Sequence, residues 1–174
     1  MVDAQTISII FAGVSIGIAA FYYIMTLRNQ HRNRQAQLFM QVYNNYSTTD
    51  YIENMGNALR MEYTDYDDFQ EKYSRAPQRT PYAKQCFFLD GIGVLVEEGL
   101  IEIRLVAKLM SGDIMWHWQH FGPYIIESRK RRNHPEYMYY SEYLYNEVVE
   151  ARPDHSQINR KFPISNMRSP DLKT

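Results

Sequence analysis

Two histidines three residues apart, in Trp116-His117-Trp118-Gln119-His120, are the side chains of this sequence best typed for holding a metal. On a helix that spacing puts both imidazoles on one face, where they could supply two nitrogen ligands. A catalytic zinc needs a third protein ligand, and Asp113, Glu127 or His134 are the candidates. No acidic base stands between the histidines as it does in HExxH. The motif therefore reads first as two structural histidines on the partly exposed side of a helix, opposite Ile114, Trp118 and Phe121. A membrane-tethered metal-dependent hydrolase or nuclease using His117 and His120 is the alternative.

Asp90 is the second group of interest, because it stands in the apolar run Phe87-Phe88-Leu89-Asp90-Gly91-Ile92-Gly93. A buried carboxylate is costly unless paired. It is expected in a buried ion pair, with Arg60, Arg79 or Arg104 as partner; a catalytic role would need a His or Lys that the sequence does not single out. Gly91 and Gly93 lack the spacing of a phosphate loop and read as places of close helix contact. Asp65, Asp67, Asp68 and Glu71 crowd together without the alternating ligands and central Gly of a calcium loop. They read as the solvated first turn of a helix, where the dipole favours acids.

Two basic clusters could recognise anions. Arg28, Arg32 and Arg34, with His31, follow a long apolar stretch and fit topology and anionic lipid. Arg129-Lys130-Arg131-Arg132 reads by default as a solvated helix end, but could meet lipid headgroups, a partner, nucleic acid or the Asp65–Glu71 stretch, which keeps an anionic-lipid sensor open as a third function. A net charge of -1 argues against general nucleic-acid binding. Cys86, the one cysteine, excludes an intrachain disulfide and fits a reducing compartment.

What positions these groups begins with Ile7 to Leu27: 21 residues without Asp, Glu, Lys, Arg, His, Asn or Gln. A helix of that length covers about 30 Å, the hydrocarbon thickness of a bilayer. Mean hydropathy is nevertheless -0.50, so the apolar weight is concentrated there. Asp3 precedes the run and Arg28, Arg32 and Arg34 follow it, which orients the N-terminus outside and the rest in the cytoplasm. A cleaved signal peptide would want a basic leading region and a shorter apolar core. Gly13 and Gly17 form a GxxxG pair suited to helix packing in the membrane.

Beyond Leu27 the pattern is helical throughout, with no strand-like alternation. Residues 28–46 continue the anchor as a rod carrying Leu38, Phe39, Val42, Tyr43 and Tyr46. A helix capped by Asp50 and Glu53 buries Ile52, Met55, Leu59 and Met61 or Tyr63. Thr80 and Pro81 open a helix, apolar on nearly all sides, that ends at Gly99. A short helix with Ile101, Leu105 and Leu109 breaks at Ser111-Gly112. Another, opened by Asp113, bends or splits at Pro123. A last one starts near Pro135 with Tyr137, Tyr140, Leu144 and Val148 as its stripe.

The stretches IAAFYYIMTLRNQHRNRQAQLFMQVYNNY and CFFLDGIGVLVEEGLIEIRLVAKLM resemble a family of short bacterial and archaeal membrane proteins classed as a domain of unknown function. The likeness covers most of residues 8 to 132. It implies one apolar N-terminal helix followed by a helical soluble part, and it brings no activity and no catalytic residue.

The expectation is an all-α protein, one N-terminal transmembrane helix continuing into a cytoplasmic bundle of about six helices. Residues 1–27 are the anchor segment, 28–151 the helical domain and 152–174 a flexible tail. No catalytic constellation is complete and no cofactor is expected. Fifteen Tyr, eight Phe and two Trp are an aromatic surplus of the kind interfaces favour. The function expected is a non-enzymatic accessory or scaffold protein of the cell membrane. Its partners are the bilayer and another protein, or a second copy of itself.

Overall fold

A computed structural model describes residues 3–151, which form six helices and, among these residues, no strand. Helix α1 (Ala4–Tyr46) is one unbroken rod of 43 residues, about 65 Å long. It contains an 18-residue window apolar enough to cross a membrane, and none of that window is buried in the fold. Its few polar atoms bond back to their own helix: Ser15 Oγ donates to the Phe11 carbonyl at 2.8 Å and Thr26 Oγ1 to that of Tyr22 at 2.9 Å. Neither of these two hydroxyls needs water. Further on, Leu38, Phe39, Val42 and Tyr46 pack against the core. Tyr43, expected in the same stripe, turns outward.

Helix α2 (Thr49–Leu59) is capped by Thr48, whose side chain accepts the Tyr51 amide, rather than by Asp50. Tyr51, Met55 and Ala58 face inward, while Ile52 is 62% exposed and Leu59 is exposed too. The expected set slips because Tyr51 takes the inward position, its ring 4.9 Å from those of both Tyr46 and Phe88. Helix α3 (Tyr66–Tyr73) has the acidic first turn read from sequence, and Asp65 caps it by accepting the Asp68 amide at 2.9 Å.

Helix α4 (Thr80–Glu97) begins one residue earlier than Thr80 as a cap implies, with Arg79 in the cap position. It ends at Gly99, whose φ of +64° suits glycine. Neighbours do not cover it on all sides, as its composition suggests they must. Phe87 is 68% exposed and Val94 is exposed beside it. Phe88 packs against Tyr51, while Phe87, about 100° round the helix, falls on the side no neighbour covers.

Helix α5 (Ile103–Arg132) replaces the two or three shorter helices expected, which leaves five helices after α1 rather than about six. A glycine inside a helix costs about 1 kcal/mol. Met110 and Ile114, both buried, anchor the helix on either side of Gly112 and outweigh that cost. Pro123 lies inside the helix and is exposed. Gly122 leaves room for the Trp118 ring, which a Cβ there would approach to 3.2 Å. The buried residues near its start are Val106, Ala107 and Met110, while Leu105 and Leu109 face out. Asn133, at φ 48°, turns the chain, and α6 (Tyr139–Ala151) starts four residues after Pro135.

The core has two parts. Leu89, Ile92, Val106, Met110, Ile114, Leu144 and Val148 make an aliphatic one, and α1 leans on it. Phe69, Tyr82, Phe121, Tyr124 and Ile125 make an aromatic one under α2 and α3. At Gly93 helices α4 and α6 touch so closely that a Cβ would run into the Tyr140 backbone. Gly91 meets nothing, so only one of the two glycines serves close contact. The tail expected over residues 152–174 lies outside the described residues.

Candidate functional site

The histidine motif sits in the second turn of α5 before Pro123, and its two rings have different surroundings. His117 shares the buried face with Ile114 and Phe121 and is 1% exposed, not on the partly exposed side. Trp118 is the half-buried residue instead, packed near Tyr145 and under Arg129. Ile114, His117, Phe121 and Tyr124 recur at helical spacing, and α4 lies on that side. The greater bulk of Trp118 points to the wrong stripe. His117 Nε2 is 3.7 Å from the Cys86 Sγ, and its Nδ1 has no hydrogen-bond partner among the described residues. Burial holds its pKa down to about 3, with His120 pushing the same way, so the ring is neutral. Burial likewise pushes the Cys86 thiol up to about 12, which leaves it protonated and a poor nucleophile.

His120 lies 2.8 Å from the Met61 carbonyl through Nε2. A carbonyl only accepts, so this nitrogen carries the proton. The ring stacks on Trp116, and the His120 carbonyl accepts from the Tyr63 hydroxyl. His117 is thus committed to packing between α5 and α4, and His120 to packing between α5 and the chain after α2. Among the described residues no group of three His, Cys, Asp or Glu side chains is placed to hold a metal ion.

Asp90 is half-buried, and its partner is not an arginine. Oδ1 accepts the Ser141 amide at 2.9 Å, at the start of α6. The carboxylate therefore caps a helix N-terminus, where unpaired amides and the dipole both favour it. Burial, the largest influence, raises its pKa, and the backbone bonds oppose the rise. The sequence offered arginines as partners; backbone amides brought in by the α4–α6 approach at Gly93 do the work instead.

The Arg129–Arg132 run is engaged inside the fold. Arg129 pairs with Glu142 and donates to the Tyr137 and Met138 carbonyls at 2.8 and 3.0 Å, holding the α5–α6 turn. Arg131 bonds Asp67 at 2.7 Å and Glu127 at 2.9 Å over the Tyr66 ring. Arg132 reaches the Tyr66 hydroxyl at 3.4 Å, and Lys130 lies 3.9 Å from Glu127. Of the partners the sequence left open for this run, the acidic stretch at Asp65–Glu71 is the one met here.

Gly13 and Gly17 sit one turn apart on the uncovered part of α1, with nothing within 4 Å of where a Cβ would stand. Arg28, Arg32 and Arg34 are exposed just past the apolar run, with no ion pair among the described residues.

Two apolar surfaces escaped the sequence. A groove of about 650 Å³ runs between α1 and α4, walled by Leu38, Val42, Phe87, Phe88, Ile92 and Leu95. A cleft of about 460 Å³ lies between α2 and the end of α1, with Ile52, Met55 and Leu59 on one side and Asp113 at its edge. Tyr51 donates to Asp113 across 3.4 Å, and burial, then Asp113, pushes the Tyr46 hydroxyl up to about 12. Phe87 and Phe88 both line the groove, so the FF pair of α4 was the available signal for it.

These features define an all-α protein built on one N-terminal helix long and apolar enough to cross a membrane. Residues 9–148 match the family model described as Domain of unknown function (DUF4760), and the chain belongs to that family. No curated protein and no solved structure matches it.

Proposed function

We propose that this is a non-enzymatic, single-pass membrane protein that presents a helical domain to a protein partner at the cytoplasmic face of the cell membrane. The observation that carries the reading is the exposed apolar face of α4 around Phe87, beside the α1 groove. A large exposed aromatic next to an apolar groove marks interaction surfaces more often than ordinary surface. The continuous α1 supports the anchored arrangement, because the groove is walled by the same helix that would span the bilayer. The basic residues after Leu27 support the orientation.

The rival reading as a metal-dependent hydrolase draws little from a neutral, buried His117 and a His120 already bonded to a carbonyl. Zinc near one per chain, lost on joint change of His117 and His120 to Ala, would promote it. The anionic-lipid reading of Arg129–Arg132 competes with the internal bonds those arginines make.

The test has two parts. A reporter fused after Thr174 should read as cytoplasmic, and deletion of residues 1–27 should release the chain from the membrane. Purification from gently solubilised native membranes should bring down a stoichiometric protein partner, and Phe87→Glu should lose it. A monomer with no partner, unaffected by that change, would overturn the reading.

A further inference from the structure

A cleft of about 480 Å³ opens where α1 leaves its apolar run, lined by Leu27, Arg28, His31, Arg32, Gln35 and Glu102. We propose that it binds the headgroup of a membrane lipid carrying both a phosphate and a primary ammonium, the phosphatidylethanolamine type. This rests on the reading of α1 as a membrane span.

The α1 residues of the cleft fall at positions i, i+3, i+4 and i+7 from Arg28 and so share one face. Glu102 faces them from the loop that leads into α5. That loop is fastened to α1 by the bond from Gln35 Nε2 to the Gly99 carbonyl, 2.9 Å. Glu102 occupies the N-cap position of α5 without using its carboxylate as a cap. Arg28, His31, Arg32 and Glu102 are all exposed, and none forms an ion pair among the described residues, although they line one cleft. Opposite charges held apart across an open cleft leave room for a zwitterion that satisfies both sides.

The order of the charges matches the order of groups in such a headgroup. Leu27 closes the apolar run and stands at the hydrocarbon edge. Arg28 comes next, where a lipid phosphate, attached to glycerol, would lie. Glu102 also lines the neighbouring pocket with Arg32, Gln35, Ala36 and Leu105, so it stands farther along α1. From Leu27 to Arg32 the helix rises about 7 Å, the depth of a headgroup layer. The distal ammonium would therefore meet Glu102 while the arginines hold the phosphate. A quaternary choline has no N–H to give the carboxylate, and glycerol headgroups carry no cation.

The full-length protein, placed in nanodiscs of mixed ethanolamine, choline and glycerol phospholipids, is tested by mass spectrometry of the lipid it retains. The wild-type chain should enrich ethanolamine lipid over choline lipid roughly tenfold, as one charge-assisted contact allows. Glu102→Gln should bring that ratio back to the bulk value, and joint Arg28→Gln and Arg32→Gln should lose retention of every phospholipid. Glu102 is exposed and its side chain makes no bond among the described residues, so its change leaves the fold intact; circular dichroism checks this. Soluble phosphoethanolamine should not displace the lipid, because Leu27 adds an acyl-chain contact. Unchanged enrichment in Glu102→Gln, equal retention of glycerol lipid, or displacement by the soluble headgroup would each overturn the proposal. A chain washed from vesicles by alkali would instead overturn the membrane-span reading beneath it, whereas an inserted chain without enrichment fails this inference alone.

Discussion

The side-chain amide of Gln35 donates to the carbonyl of Gly99, 64 residues later in the chain, at 2.9 Å. That bond ties the rod just past the apolar run to the end of the central helix. Over the next three turns, Leu38, Phe39, Val42 and Tyr46 pack against the aliphatic core. The rod is therefore a wall of the domain and not a stalk.

Removing that wall has a measurable cost. Taking several large side chains from a core forfeits several kcal/mol, a large share of a small domain's stability. A fragment beginning at Arg34 is expected to unfold cooperatively, and one beginning at Asp50 to be poorly folded or to aggregate. Denaturant titrations of the two decide it; equal midpoints would show that α1 contributes nothing to the core.

Gly91 and Gly93 make opposite forecasts from the same helix. Gly93→Ala would force α4 and α6 apart and is expected to cost about 2–3 kcal/mol. Gly91→Ala places a methyl in open space and should gain about 0.5–1 kcal/mol from helix propensity. Urea midpoints of the full chain in detergent would reverse this ordering only if α6 does not dock at Gly93.

His117 sets a pH dependence. Its folded pKa is near 3, while an unfolded histidine titrates near 6.5. The unfolded state therefore takes up the proton first as pH falls. Stability is full above the unfolded value and declines as pH drops from about 6.5 toward about 3. The loss from this residue should reach about 2 kcal/mol at pH 5. His117→Leu removes the titration, so its unfolding midpoint should fall less between pH 7 and pH 5 than that of the wild type. Parallel curves for the two would mean that His117 is not buried as described.

The long apolar helix, the acidic start of α3 and the left-handed Gly99 were legible because each is set by local chemistry: an uncharged run, acids favoured by a helix dipole, a residue free to take positive φ. The burial of His117, the capping role of Asp90 and the exposure of Phe87 were not. Each depends on which neighbour arrives at a given side of a helix, and periodicity leaves that open when apolar residues lie all around, as on α4. Helix α5 was misread for a related reason. Gly112 and Pro123 are local breakers, but long-range packing of Met110, Ile114 and Phe121 overrides them.

The central claim is that the α4 face at Phe87 meets a protein partner while α1 holds the domain at the membrane. A photoreactive amino acid placed at position 87 of the full chain, in native membranes, tests it most directly, with the exposed position of Gln119 as control. The account expects a discrete adduct of fixed mass from position 87 and none from position 119, with twice the chain mass marking a second copy. No adduct at 87 above the level at 119 would contradict it and leave Phe87 as bare surface.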